Sequence, residues 1–292
     1  MQDTFETGTP DVCFRHGRFS HAAGTRDYKL YRPASVNSDQ TSALIVMLHG
    51  CRQNPDDFAT GTRMNQLADR HGCLVLYPAQ SVSANESGCW NWFNPADQQR
   101  GQGEPAIIAG LTRQVMVSQG IDPGRVYVAG LSAGGAMAVT LIRAYPDLYV
   151  AVAVHSGLPH ACALDLLSAF GLMRQGAPQQ EFTRDAGQGF PAIVFHGDCD
   201  TTVHPGNAAL VIAQTGAVPG NASSSEPGRI PGGYAFTRTR YLDRQGRSQA
   251  ELWLVHGAGH GWFGGDPVGS YTEPRGPDAS SAMLRFFDEH HR

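Results

Sequence analysis

Val126-Tyr127-Val128-Ala129-Gly130-Leu131-Ser132-Ala133-Gly134-Gly135 decides how this chain is read. A short β-rich apolar run meets Gly-Leu-Ser-Ala-Gly, and a small-residue segment follows that can open a helix. This is G-x-S-x-G in the context that gives it meaning: strand, sharp turn, helix. At such a turn the serine takes a strained backbone conformation. Positions 130 and 134 must then lack side chains, so that strand and helix can approach closely. Ser132 is expected to be a nucleophile, where a plain Gly-rich turn is the bland alternative.

Outward from this stretch, buried strands and helices alternate. Ala43 to Leu48, Cys73 to Tyr77, Arg125 to Ala129, Tyr149 to His155 and Pro191 to His196 are apolar runs suited to strands covered on both faces. Between them, a helix capped by Asn54, with Pro55 in its first turn, runs to near Gly72. A second spans Glu104 to Gln119, and Ala133 to Tyr145 follows the elbow. Ala208 to Gly216 and Ser280 to His290 read as later helices. Phe14 to His21 and Asp27 to Pro33 suggest a hairpin, and Tyr234 to Leu242 and Glu251 to Val255 are β-like. Pro219 to Gly233, rich in Gly, Pro and Ser, reads as a loop. The pattern predicts an α/β fold with a mostly parallel central sheet and helices on both faces. One catalytic domain over 1–292 is expected, with a cap or lid insertion at about 158–190.

Composition narrows the function classes. The chain has 292 residues, is 41% hydrophobic and 16% charged, and carries a net charge of −4 without charged blocks. It can bury a substantial core, and nothing points to nucleic acid or a charged membrane surface. Met1 to Glu6 lacks a basic start and an apolar core, so it is not expected to be a signal peptide. No apolar run is long enough for a membrane span. The six cysteines form no CxxC pair, which gives a zinc or redox reading little support. No cofactor or metal is expected.

A serine hydroxyl needs an adjacent base, and the base needs a third group to hold its tautomer. Where a strand–elbow–helix supplies the serine, the acid and the histidine follow it in that order. Phe195-His196-Gly197-Asp198-Cys199-Asp200 follows a strand, so Asp198 and Asp200 are both candidates, and the one not used is expected to cap backbone N–H groups. Leu254-Val255-His256-Gly257-Ala258-Gly259-His260 supplies the base. His260 sits among glycines, free to reach across, whereas His256 ends a strand and is expected to be packed. The spacing of the two could suggest a metal pair, but intervening glycines argue against a helix and no HExxH is present. Two N–H donors are needed for an oxyanion. Ala133, after the nucleophile, and Cys51, on the loop after His49-Gly50, are placed to give them.

The segment from Pro78 to Gly103 is long and irregular, as functional loops often are. Its Trp and Phe residues either contact substrate or anchor the loop on the core.

Taken together, Leu48-His49-Gly50-Cys51, Cys89-Trp90-Asn91-Trp92-Phe93, Gly130-Leu131-Ser132-Ala133-Gly134-Gly135, His196-Gly197 with Asp200, and Gly259-His260 followed by Trp262 resemble the esterase/polyhydroxybutyrate (PHB) depolymerase family. That family is close to the feruloyl and acetylxylan esterases of carbohydrate esterase family 1. The likeness runs from about residue 17 to 264. It implies the α/β-hydrolase fold and hydrolysis of carboxylic esters, with Ser132 as nucleophile, Asp200 as acid and His260 as base. Short-chain esters, hydroxyalkanoate oligomers or amorphous polyester are the implied substrates, since no added polymer-binding module is visible. Feruloyl or acetylxylan esters, or aromatic polyesters reached by Trp90, Trp92 and Trp262, are the alternatives. A non-catalytic binding protein on the same scaffold is the alternative of a different class, and a lipase with a lid is a weaker one. Cys51 and Cys89, and likewise Cys162 and Cys199, fall on loops at the catalytic side of the sheet. Two disulfides, Cys51–Cys89 and Cys162–Cys199, are therefore expected, with Cys13 and Cys73 free. With the family resemblance, that placement favours a secreted or cell-envelope location.

Overall fold

A computed structural model describes residues 13–36, 41–176, 189–217, 223–243 and 246–292. Ten strands form one sheet. In chain order they are β1 (Cys13–His21), β2 (Gly24–Arg32), β3 (Ser42–Leu48), β4 (Leu74–Pro78), β5 (Ile121–Leu131), β6 (Ala151–His155), β7 (Ala192–Gly197), β8 (Ser223–Arg229), β9 (Ala235–Leu242) and β10 (Ser248–His256). Across the sheet the order is β1-β2-β4-β3-β5-β6-β7-β10-β9-β8. The middle, from β4 to β10, is parallel. The β1–β2 hairpin closes one side and the antiparallel β9 and β8 the other.

Every residue of β3 is buried, because both faces of the sheet are covered. Leu44, Val46 and Leu48 pack with α3 (Gly103–Gln119), α4 (Ala133–Ala144) and α6 (Gly206–Gln214). Ala43, Ile45 and Met47 pack on the other face with α1 (Pro55–Thr62), α2 (Met64–His71) and α7 (Ala279–Asp288). The period-two alternation of a strand sends neighbouring residues into opposite cores. This is the α/β-hydrolase architecture that the pattern predicts.

Two expectations change. The helix expected to run unbroken to Gly72 is two helices, because Arg63 adopts φ 54° between them. Gly61 is there packed against the backbone of Gly269, and the Arg63 guanidinium donates to the Gly264 carbonyl oxygen, so the chain bends to meet a distant loop. The segment read as a loop over 219–233 contains β8. Its Ser-Ser-Ser-Glu-Pro-Gly-Arg sequence is poor strand material, but it lies at the sheet edge, where Pro227 needs no donor. Cross-strand bonds of Ser225 Oγ with Thr239 Oγ1 at 2.9 Å and of Arg240 to Glu226 at 2.8 Å hold it. The insertion expected at 158–190 contains α5 (Leu166–Gln175), opened by a capping box between Asp165 and Ser168. The rest of that expectation, from 177 to 188, lies outside the described residues.

Candidate active site

The sheet brings separated parts of the chain to its carboxyl edge, where ligands bind in open α/β folds. Ser132 follows β5, and His49 to Cys51 follow the adjacent β3. Asp200 follows β7, and His260 follows its neighbour β10.

Ser132 takes φ 57° and ψ −119°, a conformation L-residues avoid. Its N–H donates to the His155 carbonyl oxygen at 2.8 Å. The turn is as tight as the glycine pattern requires. A Cβ on Gly134 would lie 2.1 Å from the Leu48 oxygen, and one on Gly130 would lie 2.3 Å from the Gly134 carbonyl carbon. These positions therefore exclude every other residue type, and the bend lifts the serine out of the strand.

Asp200 and His260 form a pair. The His260 Nδ1–H donates to Asp200 Oδ2 at 2.7 Å, while Asp200 Oδ1 accepts from the Thr202 and Val203 N–H groups at 2.8 Å each. His196 Nε2 stands 3.4 Å from Asp200 Oδ2 and donates to the Val203 carbonyl oxygen. Burial pushes the Asp200 carboxyl up, but the hydrogen bonds from His196, His260 and Val203 outweigh it and hold it well below the usual carboxylate range. An ionised acid bonded to Nδ1 leaves His260 Nε2 as the acceptor, which is the tautomer a general base needs.

Asp198 and His256 make a second pair beside the first. His256 Nδ1 donates to Asp198 Oδ2 at 2.9 Å, the Gly257 N–H caps Asp198 Oδ1 at 2.6 Å, and Thr237 Oγ1 lies 2.9 Å from His256 Nε2. Asp198 thus caps the Gly257 N–H, and His256 is a hydrogen-bonded strand-end residue whose side chain is 40% exposed rather than packed. Each histidine has its own carboxylate, an arrangement unlike two imidazoles converging on a metal.

Cys51 and Ala133 line a cavity of about 240 Å³ together with Ser132, Trp92, Phe93, Leu158, Ala169, Phe170 and Met173. Neither the Cys51 nor the Ala133 N–H donates to another described residue. A larger hollow of about 670 Å³ lies between the β9–β10 turn and the chain end, and it contains none of these residues.

The three tryptophans separate. Trp92, with Phe93 against it, forms the cavity wall. Trp90 and Trp262 do not reach it, which corrects the expectation that they line a cleft. Trp90 is fully buried and its indole N–H donates to the His49 carbonyl oxygen at 3.1 Å. Trp262 is buried against Phe58 and His155, with its N–H on Ser280 Oγ at 3.0 Å. Both are large apolar bodies that need one hydrogen-bond partner, and the core supplies it. The loop carrying Trp90 and Trp92 therefore both anchors itself and shapes the cavity.

Cys51 and Cys89 are joined in a disulfide that ties the turn after β3 to the cavity loop. Cys162 and Cys199 are free thiols, so the second expected disulfide is not formed. Their loops follow adjacent strands, but placement on one side of a sheet does not bring two sulfurs into bonding range. Cys73 is free and buried, and the side chain of Cys13 lies outside those described.

Two residues that organise the site carried no sequence motif. Glu104 is a buried carboxylate that accepts from the Asn91 N–H at 2.7 Å, Asn91 Nδ2 at 2.9 Å, Arg26 Nη2 at 3.0 Å and Gln80 Nε2. Burial pushes its pKa up despite these donors. It holds the cavity loop onto α3. His155 stacks between Phe195 and Trp262 and accepts the Phe263 N–H on Nε2 at 3.0 Å. Burial drives its pKa well down, and the neutral ring packs behind the His260 loop. The apolar run around His155 marked a strand, but no spacing marks a histidine as a spacer.

Comparison with known proteins shows the family. The family model described as "Esterase PHB depolymerase" matches residues 26–229. The chain is 34% identical over 244 residues to poly(3-hydroxyalkanoate) depolymerase C of Paucimonas lemoignei, across 80% of this chain and 58% of that protein. It is 29% identical over 263 residues to feruloyl esterase B of Neurospora crassa, across 84% and 82% of the two chains. The chain thus spans less than two thirds of the depolymerase and most of the feruloyl esterase. Among solved structures, an acetyl xylan esterase from Aspergillus awamori superposes with a TM-score of 0.70 at 20% identity, over 90% of this chain and 94% of that one. That likeness shows a shared fold. With a family model covering most of its length, the chain belongs to the esterase/PHB depolymerase family.

Proposed function

We propose that this protein is a serine esterase that hydrolyses carboxylic esters through an acyl-enzyme. The observation that carries the reading is an ionised Asp200 bonded to His260 Nδ1, on the loop side where the strained Ser132 opens into an apolar cavity. His260 Nε2 takes the Ser132 proton as Oγ attacks the ester carbonyl. The Cys51 and Ala133 N–H groups donate to the developing oxyanion, and His260 then protonates the leaving alcohol. Water repeats the sequence on the acyl-enzyme. No step calls on a cofactor.

Among the described residues no charged side chain lines the cavity, which favours a neutral, short acyl group: a short-chain ester, a hydroxyalkanoate oligomer or the end of an amorphous polyester chain. A second reading is a feruloyl or acetylxylan esterase. It is supported by the Trp92 and Phe93 wall and by the feruloyl esterase B that the chain matches over most of its length. The continuous sheet supports one catalytic domain over 1–292, and α5 within the 158–190 insertion lends Ala169, Phe170 and Met173 to the cavity wall. The Cys51–Cys89 disulfide supports an oxidising location such as the cell envelope or exterior, and no described helix is long and apolar enough to cross a membrane.

Ser132→Ala tests the chemistry. It is expected to abolish hydrolysis of p-nitrophenyl butyrate and labelling by a fluorophosphonate while the fold survives. Wild-type turnover in this variant would refute the assignment. Rates on hydroxybutyrate oligomers against methyl ferulate separate the two substrate readings.

A further inference from the structure

The Gly50–Cys51 peptide determines whether the Cys51 N–H can serve as an oxyanion donor, and the structure shows how that peptide is fixed. The Gly50 carbonyl oxygen accepts from His49 Nδ1 at 2.8 Å and from the Gln53 N–H at 3.3 Å. A trans peptide is planar, so pinning its carbonyl on one side aims its N–H, that of Cys51, to the other. The preceding N–H, that of Gly50, donates to Gln53 Oε1 at 2.9 Å. Gln53 therefore grips the turn twice, with its backbone N–H and with its side-chain carbonyl.

The other end of the Gln53 side chain is also committed. Its Nε2 donates to Asp57 Oδ2 at 3.0 Å and to the Ser270 carbonyl oxygen at 3.0 Å. Asp57 Oδ1 in turn accepts the Ser270 N–H at 2.8 Å. Ser270 belongs to the loop between β11 (Trp262–Phe263) and β12 (Thr272–Glu273), two short paired strands, and the Trp262 N–H donates to the Tyr271 carbonyl oxygen at 2.7 Å. Trp262 lies two residues from His260. Gln53 is buried, and its bond to the Gly50 N–H forms away from water, where leaving it unmade is costly; its bonds to Asp57 and Ser270 are part-buried and the Asp57–Ser270 bond is exposed.

We infer that Gln53 is a positioning residue. Its side chain holds the oxyanion turn and joins it, through Asp57, Ser270 and the Tyr271–Trp262 bond, to the strand that follows the proposed base. The role rests on the serine esterase reading above. It adds a device that sets the oxyanion donor and the base in one rigid frame. Gln53 touches no reacting atom, and its effect passes through the Cys51 N–H.

Gln53→Leu keeps the bulk and removes both polar ends. It is expected to lower kcat on p-nitrophenyl butyrate by about 10- to 100-fold with KM within twofold, as for a donor displaced from a developing oxyanion. Its affinity for phenylboronic acid, which forms a tetrahedral adduct on the serine, should fall by a similar factor, while inhibition by butyrate stays unchanged. Wild-type kcat, or equal losses for boronate and butyrate, overturns the role. If Gln53→Leu does not fold, Asp57→Ala decides, since it removes the partner that holds Gln53 Nε2 and Ser270. A fall in kcat at constant KM supports the role, and wild-type kcat overturns it. Wild-type protein that neither reacts with a fluorophosphonate nor hydrolyses the ester overturns the esterase reading itself. An active wild type with an unaffected variant overturns only the role of Gln53.

Discussion

Replacing Asp200 by asparagine changes almost no shape and one proton, and the structure says which. Asp200 Oδ1 faces two backbone donors, Thr202 and Val203, at 2.8 Å each. The asparagine carbonyl must therefore take that place. Its Nδ2 then stands where Oδ2 was, 2.7 Å from His260 Nδ1 and 3.4 Å from His196 Nε2. An amide nitrogen can only donate. His260 Nδ1 becomes an acceptor, its proton moves to Nε2, and the nitrogen proposed to take the Ser132 proton can no longer accept. His196 Nε2–H is also left facing a donor. A base locked in the wrong tautomer costs about 10⁴-fold in kcat, or about 5 kcal/mol of transition-state stabilisation at 1.36 kcal/mol per tenfold. The assay is kcat and KM of Asp200→Asn on p-nitrophenyl butyrate, with thermal unfolding as a control. KM should move little, because the substrate cavity is untouched. A folded variant within tenfold of wild type would refute the reasoning. The depressed pKa of Asp200 carries a second consequence with a definite sign. Its contribution to stability is present above the unfolded carboxyl value of about 4 and is lost as pH falls below it toward the folded value. Ester hydrolysis at neutral pH should therefore show no limb from Asp200.

Removing the disulfide with Cys51→Ala and Cys89→Ala together reopens a loop with a sequence separation of 38. Chain entropy assigns this about 4 kcal/mol. Urea unfolding should show that loss, and an unchanged midpoint would exclude a stabilising role. The tryptophans should divide by position. Trp90→Ala empties a core site and should cost about 3–5 kcal/mol of stability, whereas Trp92→Ala enlarges the cavity and should alter the preferred acyl length, read as kcat/KM across p-nitrophenyl acetate to octanoate. Identical acyl profiles for Trp92→Ala and wild type would argue against that wall. Among the described thiols, the exposed Cys199 should react first with a maleimide in native protein, and Cys73, buried and pushed up to about 12, should resist until unfolding. Peptide mapping of the labelled protein checks the order.

Much of the site was legible because its residues announce themselves locally. Gly130 and Gly134 flank Ser132 because the turn admits nothing larger, and that sterics is written in the sequence itself. The order of serine, acid and histidine follows from parallel strands whose carboxyl ends share one edge. The choice between Asp198 and Asp200 was not local. Both carboxylates cap backbone groups and both bind a histidine, and burial separates them: the Asp200 and His260 side chains are 0% and 11% exposed, those of Asp198 and His256 34% and 40%. The break at Arg63 and the edge strand β8 were hidden for a related reason. Each is imposed by a partner far away in sequence, Gly264 and Gly269 in one case and β9 in the other.

The sequence by itself determined the fold class and the geometry of the elbow, because periodicity and steric exclusion act over a few residues. Tertiary structure alone decided which tryptophan lines the cavity, which cysteines meet, and that Gln53, Glu104 and His155 support the site. A tryptophan has the same side chain whether it faces the core or a cavity, and a cysteine the same thiol whether or not a second comes within bonding distance. A buried glutamine or glutamate shows its purpose only through the groups brought to it. Those outcomes depend on where distant backbone lies, and no local pattern encodes that.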